Sequence, residues 1–201
     1  MERIMILNGS PRAPKSNSRR YGAMVSACCK GKAEYFAITR QNHRQLTEQM
    51  EGFSHVVLVF PLYADGIPVT LLNFFKTLEE YPPENKPVIS VLINCGFLEY
   101  QQNDIAVEMV RLFCRENHYP FGSVLKIGSG EAILDTPFRF LVSGSIRKFS
   151  RSIMAQKYRT FHVSMPLTKK LFVKASTSYW TEYGRKNGIT VEQMQTMEIE
   201  G

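Results

Sequence analysis

The feature that most constrains this 201-residue chain is a set of short, almost wholly apolar runs. They are Ile4–Leu7, His55–Phe60, Pro87–Ile93 and Val124–Ile127, each ending at a small or polar turn. A strand solvated on one face alternates apolar and polar residues, whereas a continuous apolar run marks a strand covered on both faces. A more mixed run, Ala33–Ile38, reads as a further strand. Segments with apolar residues at helical spacing lie between the runs: Arg20–Cys29, Gln45–Met50, Val69 to about Tyr81, and Gln101–Asn117. Strands that alternate with helices build a parallel sheet with helices packed on both faces. Right-handed crossovers then lead to a doubly wound α/β sandwich of five strands in the order 2-1-3-4-5.

The rest of the chain exceeds what five strands need. Phe138–Val163 reads as a long, basic, mostly helical segment, and Leu167–Lys186 as another helix after Pro166. No linker rich in Gly or Ser separates them. The expected organisation is therefore a single domain, 1–201, with a core over 1–135 and a helical extension over 136–201. Cys28, Cys29, Cys95 and Cys114 are scattered without a C-x-x-C pair, so neither a metal site nor an iron–sulfur cluster has local support. No apolar run reaches membrane-spanning length, and the first residues lack a signal-peptide layout. A cytoplasmic protein with reduced thiols is expected. The net charge is +7, with most of the excess between Arg139 and Lys186. A solvated helical face explains such a surplus first. An acidic partner, a phosphorylated cofactor or nucleic acid are the functional alternatives.

In a doubly wound sheet the ligand lies at the carboxyl ends of the central strands. The first of those turns is Asn8-Gly9-Ser10-Pro11-Arg12, with Ser16-Asn17-Ser18 opening the next helix. Gly9 lets the backbone turn close to a ligand. The serines and Asn17 supply donors and a helix cap. A helix N-terminus attracts anions, and Arg12, Lys15, Arg19 and Arg20 add positive charge. The turn is neither G-x-G-x-x-G nor G-x-x-x-x-G-K-[ST]. It reads as a phosphate cradle of another kind, or as an ordinary serine-capped strand–helix turn. Two further loops stand at neighbouring strand ends: Pro61–Gly66 with Tyr63, and Asn94–Tyr100 with Cys95 and Phe97. A phosphate cradle beside aromatic and backbone groups suits a flat ring on a phosphorylated tail, which describes FMN.

These three loops, and a fourth at Gly128–Glu131, carry a resemblance. Asn8–Arg12 with Ser16–Ser18 resembles the phosphate loop of the NADPH-dependent FMN reductase-like branch of the flavodoxin-like superfamily. Pro61-Leu62-Tyr63 and the later Pro68 resemble that family's second flavin loop. Asn94-Cys95-Gly96-Phe97 with Glu99, together with Gly128-Ser129-Gly130-Glu131, is similar to the later loops of one subgroup of NAD(P)H-dependent flavin oxidoreductases. The resemblance covers residues 3–131 and implies a flavodoxin-like fold. It implies that Ser10, Arg12, Ser16, Asn17 and Ser18 hold the FMN phosphate. It also implies that Pro61, Leu62, Tyr63 and Ala64 line the isoalloxazine, with Asn94, Cys95, Gly96 and Phe97 at its pyrimidine end. The implied activity is transfer of a hydride from NADPH or NADH to FMN. The electrons then pass to a quinone, flavin, nitro or azo compound, or a protein acceptor. The flavin carries the chemistry, so no catalytic side chain and no metal are assigned. The histidines, His43, His55, His118 and His162, are scattered. Cys95 reads as a packed loop residue rather than a redox thiol. A homodimer using the helices after Asp135 is expected, with no membrane or nucleic-acid partner. The rival readings are a flavodoxin-type electron carrier and, more distantly, a nucleic-acid-binding protein.

Overall fold

The structure is a computed structural model that describes residues 3–196. The contacts divide the chain into two compact units, 1–165 and 166–201. The first unit contains strands β1 (Ile4–Asn8), β2 (Ala33–Ala37), β3 (His55–Pro61), β4 (Val88–Asn94), β5 (Phe121–Ile127) and β6 (Thr160–Val163). Its helices are α1 (Asn17–Cys28), α2 (His43–Met50), α3 (Val69–Glu80), α4 (Asp104–Glu116) and α5 (Arg139–Met154). The second unit contains α6 (Lys169–Lys186) and the short α7 (Val191–Gln195).

All strand pairs are parallel, in the order β2-β1-β3-β4-β5-β6. The flavodoxin-like order 2-1-3-4-5 is thus present, but the sheet has six strands, not five. Residues 136–165 are correspondingly no helical extension, because α5 packs beside α1 and β6 pairs with β5 in register Val124↔Thr160 to Ile127↔Val163. The apolar-run criterion passes over β6 for a physical reason. An edge strand has a neighbour on one side only and need not be apolar throughout. Thr160 and His162 are exposed, while Val163 is buried.

The two faces of the central strands account for their apolar runs. Met5 and Leu7, Val56, Leu58 and Phe60, and Ile89, Val91 and Ile93 join one core with α2, α3 and α4. The alternate residues Ile4, Ile6, Val57 and Val59 are also buried. Ile6 lies under α1, since a Cβ at Gly22 would stand 3.4 Å from its Cγ2. With a helix layer on each face, no position on β1 or β3 is left for a solvated residue. No helix among the described residues is long and apolar enough to cross a membrane.

Candidate functional site

The turn after β1 is built on Asn8, the last residue of that strand and fully buried. Its side-chain oxygen accepts the Ser10 N–H at 2.9 Å. Its nitrogen donates to Tyr35 Oη at 2.9 Å and to Ala13 O and Ser16 Oγ, both at 3.3 Å. One amide thus shapes the whole loop from residue 10 to residue 16. Gly9 presses the turn onto α3: Thr70 Oγ1 donates to its carbonyl at 3.1 Å, and an added Cβ would stand 3.3 Å from Leu71 Cβ. Ser16 caps α1, its Oγ accepting the Arg19 N–H at 3.2 Å.

Asn94 stitches the other loops to this one. It ends β4 opposite Pro61 of β3. Its Nδ2 donates to Phe60 O at 3.1 Å and to Ser18 Oγ at 3.3 Å, and its carbonyl accepts the Leu62 N–H at 2.7 Å. Tyr63 and Gly66 exchange two backbone hydrogen bonds of 3.1 Å across Ala64 and Asp65, whose φ values are 47° and 58°. Both residues lie in the left-handed region that a tight primed turn demands. The loop after β5 closes onto α1 from the other side. Tyr21 Oη, deep in the core, donates to Gly130 O at 2.8 Å, and Asn17 Nδ2 donates to Glu131 O at 2.9 Å. Burial pushes the Tyr21 phenol up, so it stays a donor.

Between these loops is a cleft of about 200 Å³. From the turn after β1 it is lined by Ser10, Pro11, Arg12, Ser16, Asn17 and Ser18. The turns after β3 and β4 contribute Pro61, Leu62, Tyr63, Asn94, Cys95 and Gly96, and Glu131 completes the wall. Of the residues singled out from the sequence, Ala64 and Phe97 do not line it. Ala64 is exposed at the tip of its turn, and Phe97 is half exposed one residue beyond Gly96. Pro11 and Glu131 are additions. Glu131 belongs to the Gly128–Glu131 loop that the resemblance already marked, and the hydrogen bonds from Tyr21 and Asn17 of α1 bring that loop to the cleft.

The donor groups left over suit an anion. In the contacts among the described residues, the hydroxyls of Ser10 and Ser18 act only as acceptors, from Arg12 N–H and from Asn94, so their protons remain to be given. Asn17 and Ser18 open α1, where backbone N–H groups have no intrahelical partner. The Arg12 side chain makes no ion pair or hydrogen bond among the described residues and is exposed at the cleft. Two of the other cations are engaged elsewhere. Arg19 donates to Pro14 O at 3.0 Å, and Arg20 binds both oxygens of Asp135 at 2.9 and 2.6 Å. The Arg20 hydrogen bonds hold the Asp135 carboxyl below the usual carboxylate range. Glu131 opposes the cationic character locally. Cys95 is buried, with its sulfur 3.3 Å from Asn103 Nδ2, and burial raises its thiol, which disfavours the reactive thiolate.

No protein-family profile matches the sequence, and no curated protein matches it. Solved structures do match in shape. A flavodoxin from Streptococcus pneumoniae TIGR4 superposes with a TM-score of 0.57 at 11% identity, covering 76% of this chain and 99% of its own. An NAD(P)H:quinone oxidoreductase from Methanothermobacter marburgensis gives 0.57 at 14% identity, covering 77% and 98%. An FMN-dependent NADH-azoreductase from Bacillus anthracis, in complex with FMN, gives 0.57 at 12% identity, covering 76% and 99%. At these identities the likeness establishes the flavodoxin-like fold.

Proposed function

We propose that this chain is an FMN-dependent oxidoreductase of the NADPH-dependent FMN reductase-like type, taking a hydride from NADPH or NADH. The observation that carries the reading is the cleft at the ends of β1, β3 and β4, where the unspent groups of the first turn are donors. Arg12, the hydroxyls of Ser10 and Ser18 and the N–H groups of Asn17 and Ser18 would take the phosphate. The Ser16 hydroxyl is committed to the cap, so its part is to hold the turn in shape. A volume of about 200 Å³ is below the range of a whole drug-sized pocket. It suits a phosphate and a polyol chain, with the ring lying across Pro61–Tyr63 and Asn94–Gly96. Tyr63, 61% exposed at the mouth, offers one aromatic face and leaves the other open to a nicotinamide.

Bound FMN supplies the hydride acceptance. The protein's share is to orient the ring and offer backbone donors to its pyrimidine end. Cys95 has no catalytic part, and no side-chain acid or base is assigned. Electrons would pass on to a quinone, a flavin, a nitro or azo compound, or a protein acceptor. The solved structures that share the fold include a quinone oxidoreductase and an azoreductase as well as a flavodoxin. The preference for an enzyme over a carrier therefore rests on the open face beside Tyr63 and on the basic surface, which suits an anionic dinucleotide. The half-exposed apolar residues of α6, among them Leu171 and Trp180, support a homodimer. A cytoplasmic location belongs to the same reading.

The test is anaerobic stopped-flow mixing of FMN-loaded protein with NADPH and then with NADH. Rapid bleaching of the blue flavin band with either nucleotide is expected. No bleaching over minutes, beside easy reduction by dithionite, would replace this reading by the electron carrier.

A further inference from the structure

A second concavity of the first unit lies away from the cleft just described. It is an open groove of about 530 Å³ between α5 and the edge strand β6. Phe140, Gly144 and Lys148 stand at i, i+4 and i+8 on α5, so they share one helix face along the groove. Phe140 is 66% exposed, and a Cβ at Gly144 would meet nothing within 4 Å, so the floor is flat and open. Arg147 lies beside Lys148, and His162 of β6 forms the facing wall. The carbonyl of Arg159 accepts from Val124 N of β5, and that of Val163 from Gly128 N just past the end of β5. In an evenly spaced parallel ladder the backbone of His162 therefore faces away from β5, at the open edge of the sheet.

The charge here is not neutralised locally. Residues 136–165 contain Arg139, Arg147, Lys148, Arg151, Lys157 and Arg159 and no carboxylate. Neither Arg147 nor Lys148 makes an ion pair among the described residues. Arg147 makes only a 3.4 Å bond from Nε to Ser143 O. Exposed cations on one side of a groove, with an exposed aromatic at one end and a small residue between, suit a ligand with both phosphates and a flat base.

The groove is coupled to the cleft through one loop. Ser164, at the end of β6, donates to Leu98 O at 2.7 Å, and His162 stacks on Tyr100 at 4.1 Å. Leu98 and Tyr100 belong to the segment that begins with Cys95 and Gly96 in the cleft wall. Only β5 separates β4 from β6, so the two strand ends are about 10 Å apart. An extended dinucleotide bridges such a gap.

We propose that the α5–β6 groove binds the adenosine-phosphate half of the reducing dinucleotide, with Arg147 and Lys148 on its phosphates and Phe140 against its base. The inference rests on the oxidoreductase reading above, and it names where that reading's co-substrate is held. The experiment is calorimetric titration of the FMN-loaded full chain with 2′,5′-ADP and with 5′-ADP, together with NADPH kinetics. Wild-type protein should bind at least one probe saturably. The pair Arg147→Ala with Lys148→Ala, and separately Gly144→Phe, should each weaken that binding by about tenfold or more. KM for NADPH should rise by a similar factor with little change in the saturated rate. FMN affinity should be unchanged, which also reports that the variants fold.

Unaltered nucleotide binding and unaltered KM in both variants would overturn the groove assignment while leaving the oxidoreductase reading standing. So would the absence of saturable binding of both probes to wild-type protein. Tight binding of a single-stranded oligonucleotide, lost in the variants, with neither ADP bound, would overturn it in favour of nucleic acid. Nucleotide binding that is lost in the variants of a protein unable to take up FMN would support the groove and remove the oxidoreductase reading.

Discussion

The buried amide of Asn8 is the part of the candidate site most open to a quantitative test. In Asn8→Ala, the Ser10 N–H and the Tyr35 hydroxyl lose their 2.9 Å partners, and two 3.3 Å bonds to Ala13 O and Ser16 Oγ go with them. Tyr35 lies at the surface and can turn to water. Ser10 is buried, so its N–H is left unsatisfied at a cost of roughly 1–3 kcal/mol. The remaining bonds are neutral, and two are long, so together they add about 1 kcal/mol. The sum is about 3 kcal/mol. For a chain of this length it lowers Tm by roughly 10 °C and the urea midpoint by about 1–2 M. FMN affinity should fall in the same variant, because the loop from residue 10 to residue 16 loses its brace.

Asn8→Asp is the sharper companion. It retains the acceptor for Ser10 but places a carboxylate where a donor faced Ala13 O. Burial raises the folded pKa of such a carboxyl above its unfolded value of about 4. The folded state then binds the proton more tightly, so stability falls as pH rises from about 4 to the raised folded value and stays low above it. Urea melts of both variants across pH check this. A midpoint shift below about 0.3 M for Asn8→Ala, or a pH-independent Asn8→Asp, would refute the claim that this amide organises the turn.

Other outcomes follow from the same geometry. Arg12→Ala should weaken FMN by roughly one to two powers of ten, the worth of a charge-assisted bond, and riboflavin should bind wild-type protein far more weakly than FMN. Equal affinities in a fluorescence titration would remove the phosphate from this turn. Ala64→Gly should stabilise the protein by about 1 kcal/mol, by relieving a φ of 47° at a residue with a Cβ, read by thermal melting. Asp135, held below the usual carboxylate range by Arg20, contributes stability at neutral pH that is lost as pH falls below about 4 through its folded pKa. The contribution is small because the pair is exposed, and it should vanish in Asp135→Asn and at high salt. Cys95 should resist maleimide in the native state, with labelling there on mass spectrometry contradicting its burial.

Much of the fold was legible in the sequence because burial on two faces leaves a local signature. β1, β3 and β4 each carry a run of consecutive apolar residues, and such a run has few alternatives to a covered parallel strand, while β5 shows a shorter apolar stretch interrupted by Lys126. The turns at their carboxyl ends followed from position alone, and the cleft gathers eleven of the thirteen residues singled out there. Other features were not legible. Phe97 and Ala64 sit in the right loops, but which side of a loop faces a cleft depends on turn geometry that composition does not encode. The Tyr63–Gly66 turn, with two residues at positive φ, points Ala64 to solvent.

The sequence by itself determined the parallel, doubly wound core and the level at which a ligand sits, because both follow from local apolar periodicity and the handedness of crossovers. Only the tertiary structure decided three further matters. It made Thr160–Val163 a sixth strand, since an edge position removes the need for apolar residues and with it the signal. It took Arg20 out of the phosphate turn by pairing it with Asp135, 115 residues away, an encounter that no local pattern specifies. It also aligned Phe140, Gly144 and Lys148 beside β6 to form a basic groove. A run of cations in sequence fixes only charge. Whether that charge lies on a solvated face or along a concavity depends on which element packs next to it.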